Sequence, residues 1–235
     1  MIETECGVAE ALKYACNAFH ALKIAFANEV GTWLKGLTID ARRVLEIFCQ
    51  DRELNISPAY LRPGFAFGGS CLPKDLSALL GLARRQNLVL PVLAGVLASN
   101  EAHVERALEL IRRHGRRRLA LFGLAFKRDT DDLRASPLVT LAERLIGKGY
   151  ELAIHDPHVE ASRLTGKDRE FIEREIPHFA RLLAPSAEAA LAGAELVVVG
   201  HAAPEAVAAI ARSAGLRAIV DLQGIGELQR ARRRL

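Results

Sequence analysis

The feature that most constrains this 235-residue chain is a change in hydrophobic period at the basic knot Arg116-Arg117-Arg118. Before it, apolar residues recur at steps of three and four, the mark of amphipathic helix. After it, short apolar runs alternate with helical stretches, the mark of a parallel sheet covered on both faces. The chain therefore divides into an all-α part and an α/β part. We expect an all-helical domain at 1–115, with its ordered helices starting near Gly7, and an α/β domain with a parallel, Rossmann-like sheet at 118–235.

Within the first part, Ala11, Ala15, Phe19, Leu22, Phe26 and Val30 share one face of a proline-free stretch from Gly7 to about Leu37. Ile24 and Ala27 lie off that face. A helix apolar on more than one side is buried on more than one side, which predicts a subunit interface. Ile39 to Gln50 reads as a second helix, with Asp40 or Thr38 as its cap. Pro58 to Lys74 is irregular and rich in Pro and Gly. Helices follow at Asp75–Asn87 and Pro91–His114, and Leu88-Val89-Leu90 is too short to assign.

In the second part, strands are expected at Leu119–Phe126, Tyr150–His155, Leu196–Gly200 and Ala218–Leu222. Helices are expected at Pro137–Lys148, with Ser136 as cap and Gly149 past its end, and at Glu205–Ser213. The charged segment 160–185 reads as a surface insertion.

Composition excludes several classes. Half of the residues are hydrophobic, about a quarter are charged, and the formal net charge is +4. Much of that charge sits in the terminal run Arg230, Arg232, Arg233 and Arg234, and Lys and Arg are otherwise mixed with Glu and Asp, so no nucleic-acid footprint is read. No apolar run reaches the length of a membrane span and no secretory signal is recognised. The four cysteines, Cys6, Cys16, Cys49 and Cys71, form no CxxC pair, so no metal site is expected. His155, Asp156 and His158 lack a further ligand. Free thiols fit a reducing, cytoplasmic setting.

Three constellations carry chemistry. In Gly68-Gly69-Ser70-Cys71-Leu72-Pro73-Lys74-Asp75, Pro73 suits the first position of a helix, which places the Cys71 thiol just before a helix N-terminus and close to Lys74. Helix dipole and ammonium both favour the nucleophilic thiolate, the two glycines clear space around the sulfur, and Asp75 could accept a proton. The same text also reads as a glycine turn before a capped helix with a packed cysteine. Lys13, Asn17 and His20 share one face of the first helix, as a donor set for a developing alkoxide or as a solvated polar strip that Asn28 and Glu29 extend. Gly123-Leu124-Ala125-Phe126-Lys127 ends the first strand where ligands of open α/β sheets bind, and Asp129 to Arg134 follow it.

Taken together, these segments resemble one family, the UDP-glucose/GDP-mannose dehydrogenases. Ala9–Glu29 (AEALKYACNAFHALKIAFANE) is similar to the family's central helix, and Tyr60–Asp75 (YLRPGFAFGGSCLPKD) to its nucleophile loop. Leu121–Pro137 (LFGLAFKRDTDDLRASP) is similar to the start of its third domain, and Val220-Asp221-Leu222 to a late strand. Arg62-Pro63 before Gly64-Phe65-Ala66-Phe67, His20, and Cys49-Gln50-Asp51 resemble the branch acting on GDP-mannose, with the UDP-glucose branch as the competing reading.

The resemblance implies oxidation of a sugar C6 alcohol to a carboxylate with two NAD molecules. Cys71 would be the nucleophile, Lys13 and Asn17 would stabilise the oxyanion, and Asp75 would help activate the hydrolytic water. Arg62 and Lys127 would hold the nucleotide sugar, with Tyr60, Asn55, Gly64, Phe65 and His20 around it. Lys74 and Arg134 would reach the cofactor. Family members are dimers or higher, built on the central helix.

Family members also begin with a βαβ domain carrying Gly-x-Gly-x-x-Gly, which binds the NAD pyrophosphate. No such segment is read in this chain. The expectation is that the domain holding most of the NAD, with a catalytic Glu, is encoded separately or lies outside this chain. A non-catalytic dimerisation and nucleotide-sugar-binding fragment is the alternative reading.

Overall fold

A computed structural model describes residues 4–57, 64–159, 166–176, 178–213, 218–225 and 228. The chain divides into two compact units, Met1–Arg62 with Leu76–Ala98, and Pro63–Asp75 with Ser99–Leu235.

The first unit is helical. Helix α1 spans Cys6–Gly36 and α2 spans Ala41–Phe48. Of the two candidate caps, Asp40 is the one that acts: its Oδ1 accepts the N–H groups of Arg42 and Arg43 at 3.0 and 3.2 Å. That side chain satisfies donors the first turn leaves unpaired. Helix α3 spans Leu72–Arg85 and α4 spans Pro91–Arg113. A small core gathers Leu80, Ala83, Leu90 and Leu93, with Phe26, Val30 and Trp33 of α1 packed against it. Phe26 also meets the Phe48 ring at 5.9 Å between centroids.

Glu29 reads in sequence as part of a solvated strip, and the structure gives it a partner. Its carboxylate accepts Val92 N–H at 2.7 Å and Leu93 N–H at 3.0 Å. A negative charge at the start of α4 complements the helix dipole and satisfies two orphan donors. The N-terminal half of α1 instead presents Val8, Leu12, Phe19 and Leu22 to solvent. The unassigned Leu88-Val89-Leu90 forms no element; Leu90 is buried and Val89 is exposed.

The second unit is an open parallel sheet. Strands β1 (Arg118–Phe122), β2 (Glu151–His155), β3 (Leu196–Val199) and β4 (Ala218–Asp221) lie in the order β2-β1-β3-β4. Every pairing is parallel. The side chains of β1 point alternately to opposite faces, and both faces are buried. Leu119 and Leu121 pack in one core with Val104, Leu108 and Ile111 of α4 and with α5 (Pro137–Gly147). Ala120 and Phe122 pack in a second core with α7 (Ala187–Leu191) and α8 (Pro204–Ser213).

Strand β1 ends earlier than its apolar run suggests. Gly123 has φ +87, and its N–H reaches His155 O at 2.9 Å, so the chain turns there and Leu124 and Ala125 stay buried outside the strand. The cap of α5 is as expected: Ser136 accepts Leu138 N–H at 3.2 Å, Pro137 opens the helix, and Gly149 follows its end with φ +78.

The segment read as a surface insertion is not one throughout. Helix α6 (Gly166–Glu175) and the helical turn Phe179–Arg181 place Ile172, Ile176 and Phe179 in the core beside α5 and β2. Charged text outweighs three well-spaced apolar residues in a sequence average, yet those three decide burial. The basic knot has a structural task as well. Arg117 donates to Lys148 O at 2.9 Å at the end of α5 and stacks on the Tyr150 ring at 5.0 Å.

Candidate active site

The thiol loop is mounted on the α/β unit. Cys71 stands directly before the first residue of α3, and its carbonyl accepts Asp75 N–H at 2.9 Å. Pro73 is therefore the second residue of the helix, one place later than the sequence suggests, where its missing N–H is still an orphan position. The Cys71 side chain is exposed, with Ser70 Oγ at 3.8 Å from Sγ.

The two glycines before it are buried. A Cβ on Gly68 would collide with Ala135 O and Pro137 Cδ. A Cβ on Gly69, whose φ is +90, would sit 2.8 Å from the Phe126 ring. Both positions thus require glycine, by close approach in one case and by conformation as well in the other. Upstream, Asn100 of α4 accepts Phe67 N–H at 2.8 Å and donates to Phe67 O at 2.9 Å.

Beside the loop lies a cavity of about 340 Å³ lined by Phe65, Phe126, Lys127, His201 and Gln223, among others. It opens at the carboxyl ends of β1 and β3. There the connections leave the sheet in opposite directions, the place where open α/β sheets bind ligands. Gly123 lets the backbone pass close to His201, because a Cβ there would lie 2.8 Å from its ring. Asp156, fully buried, accepts Leu124 N–H at 2.9 Å and Ala125 N–H at 3.1 Å, which fixes the turn leading to Lys127. His201 Nε2 lies 3.1 Å from Ala125 O and 3.7 Å from Asp156 Oδ2.

Of the residues singled out in sequence, Gly64, Phe65, Cys71, Lys74, Asp75, Lys127 and Arg134 belong to this one unit. Phe65 and Lys127 line the same cavity, and Gly64 approaches Gln223. Lys74 and Asp75 are exposed, with Nζ 3.7 Å from Oδ1. Arg134 is held bidentately by Asp132, each bond 2.9 Å. This hydrogen-bonded guanidinium is the main reason the Asp132 carboxyl lies below its ordinary pKa. Asn55 belongs to the helical unit, where its amide donates to Phe48 O at 3.1 Å beyond the end of α2. Lys13, Asn17 and His20 lie in α1, and their side chains are outside the described residues, as are Tyr60 and Arg62 entirely.

Asn100, Asp156, His201 and Gln223 carry no local motif that marks them for this site, whereas Phe126 stands inside the Gly123–Lys127 segment already singled out. Asp156 drew notice only as a metal-ligand pattern with His155 and His158, and its carboxylate is spent on backbone N–H groups instead. Among the described residues no group of three or more His, Cys, Asp or Glu could hold a metal ion. Among them, too, no helix is long and apolar enough to cross a membrane.

A parallel sheet with a cavity at its switch point, and a cysteine loop seated on the same unit, define an α/β protein of the ligand-binding open-sheet class. Comparison with known proteins narrows the class. Residues 7–102 match the central domain of the UDP-glucose/GDP-mannose dehydrogenase family, and residues 120–225 match that family's UDP binding domain. The chain belongs to the UDP-glucose/GDP-mannose dehydrogenase family.

The GDP-mannose 6-dehydrogenase of Pseudomonas putida is 46% identical over 217 residues, covering 92% of this chain and 50% of that protein. The crystal structure of a GDP-mannose dehydrogenase from Pseudomonas aeruginosa superposes with a TM-score of 0.86 at 46% identity, over 92% of this chain and 50% of that one. A UDP-glucose dehydrogenase from Pyrobaculum islandicum gives 0.60 at 32% identity, over 94% and 49%. The chain thus spans about half the length of the relatives it matches.

Proposed function

We propose that this chain supplies the thiol loop and the nucleotide-sugar unit of an NAD-dependent 6-dehydrogenase that oxidises GDP-mannose to GDP-mannuronate. The carrying observation is Cys71: an exposed thiol at the start of α3, on a loop held by two buried glycines beside the switch-point cavity. The preference for GDP-mannose over UDP-glucose rests on the higher identity and TM-score of the GDP-mannose relatives.

In this reading the C6 alcohol loses a proton and a hydride to become an aldehyde. The Cys71 sulfur then adds to the carbonyl carbon, and the oxygen becomes the hydroxyl of a thiohemiacetal. Loss of a second hydride and proton gives a thioester. Water attacks that carbon, the C–S bond breaks, and the carboxylate leaves with the thiol regenerated. Lys13 and Asn17 stabilise the oxyanion, and Asp75 takes the proton of the attacking water. Lys127 and Phe65 hold the nucleotide sugar from the cavity, with Arg62, Tyr60, Asn55, Gly64 and His20 completing the contacts.

NAD, when bound, supplies the hydride acceptor for both oxidations. Lys74 and Arg134 are exposed cations on the same unit as Cys71, a chemistry that suits the cofactor's pyrophosphate. They would contact it from outside a separate NAD-binding domain. The exposed apolar residues of α1 support association of two copies through that helix. Free cysteines support a cytoplasmic setting.

The test is turnover with GDP-mannose and NAD. The chain alone is expected to give little or no NADH. Completed with an NAD-binding domain, it should give two NADH per sugar, and Cys71→Ser should abolish this. Undiminished turnover in Cys71→Ser would overturn the proposal.

A further inference from the structure

Residues 64–71 form no helix or strand, so their backbone polar groups have no ladder to join. At Phe67 one side chain satisfies both groups. Asn100 Oδ1 accepts the Phe67 N–H at 2.8 Å, and Asn100 Nδ2 donates to the Phe67 carbonyl at 2.9 Å. Only a primary amide at this reach offers an acceptor and a donor side by side. Aspartate has two acceptors, and leucine has neither group. The pairing also fixes which way the amide points, since the reverse orientation would set donor against donor and acceptor against acceptor.

From Phe67 the chain has little latitude before it reaches the sulfur. Gly68 is closed in by Ala135 and Pro137, and Gly69 lies at φ +90 against the Phe126 ring. Cys71 then meets the start of α3. Phe65 and Ala66, on the other side of the clamp, pack against the α/β core. The loop is thus anchored at Phe67 by a helix residue 33 positions away in sequence.

We propose that Asn100 is the positioning residue for Cys71, acting through Phe67 and the two glycines. Its functional consequence rests on the reading of Cys71 as the nucleophile, whereas the clamp itself stands on geometry. Asn100 touches no reacting atom in this scheme. It fixes where the sulfur is presented.

Hydrogen exchange on the full chain tests the clamp directly, with Asn100→Leu compared to the parent. Loss of the pair should speed exchange at the Phe67 amide by about fivefold or more. If Asn100 positions the thiol, the faster exchange extends through Gly69, Ser70 and Cys71, while the amides of β1 and β3 keep their protection. Acceleration confined to Phe67, or none, would overturn the proposal. Should Asn100→Leu not fold, Asn100→Ala removes acceptor and donor alike with less bulk, and is judged by the same pattern. In the completed enzyme, Asn100→Leu should lower kcat about tenfold while the KM for the nucleotide sugar changes little, as expected for a misplaced nucleophile. A Cys71→Ser enzyme that still turns over would end the nucleophile assignment and leave the exchange result to decide the clamp alone.

Discussion

The Asp156 carboxylate lies 2.9 Å from the backbone N–H of Leu124, and the same oxygen takes the N–H of Ala125 at 3.1 Å. These two donors follow β1 at the point where the chain leaves the sheet, and both residues are fully buried. Ser136 secures the other side of the turn by donating to Leu124 O at 2.7 Å. The approach to Lys127 is therefore built from side chains that bond to backbone.

Asp156→Ala should destabilise the α/β unit by about 3 kcal/mol, because it strands the buried N–H donors of Leu124 and Ala125. Urea unfolding followed by far-UV circular dichroism measures the loss. Trp33 is the only tryptophan and packs in the helical unit, so its fluorescence transition should move less. A change below about 1 kcal/mol would show that the turn holds without the carboxylate.

Gly123→Ala combines an unfavourable φ of +87 with a Cβ 2.8 Å from His201. The expected cost is about 2–4 kcal/mol. Gly81 in α3 is the control, since a Cβ there meets nothing within 4 Å. Gly81→Ala should stabilise the chain by about 0.5–1 kcal/mol through helix propensity alone. Thermal melts of the two variants should therefore move in opposite directions.

Asp132 gives a pH dependence with a definite sign. Arg134, hydrogen-bonded to both oxygens, holds its carboxyl below the ordinary value, and backbone bonding and the nearby Lys127 charge add to this. A depressed folded pKa means stability that is present above the unfolded value, about 3.9, and lost as pH falls through the folded value. The stability gap between the parent and Asp132→Asn should be full at pH 7 and close in strong acid. A gap that widens on acidification would refute the assignment.

The helices of the first unit, the four strands, the Asp40 and Ser136 caps and the glycine after α5 were legible because each is set by neighbours in sequence. Periodicity, capping chemistry and φ preferences act over a few residues. The helix start after the thiol loop was legible for the same reason, since Pro73 signals it locally, whereas Gly68 and Gly69 answer to Ala135, Pro137 and Phe126, which are distant in sequence. The pattern after the basic knot also specified a parallel sheet without its strand order.

What sequence reading placed differently depends on distant partners. Residues 166–179 look like a charged insertion until Ile172, Ile176 and Phe179 find the core beside α5. Glu29 looks solvated until the start of α4 reaches it. Asn100 and Asp156 act on backbone more than thirty residues away in sequence, and no local propensity encodes such a bond. The sequence alone determined most of the helices, the four strands and the glycine-rich thiol loop. Only the tertiary structure decided which side chains hold that loop and the β1 turn in place, because a hydrogen bond to a buried backbone group depends on where packing brings its partner.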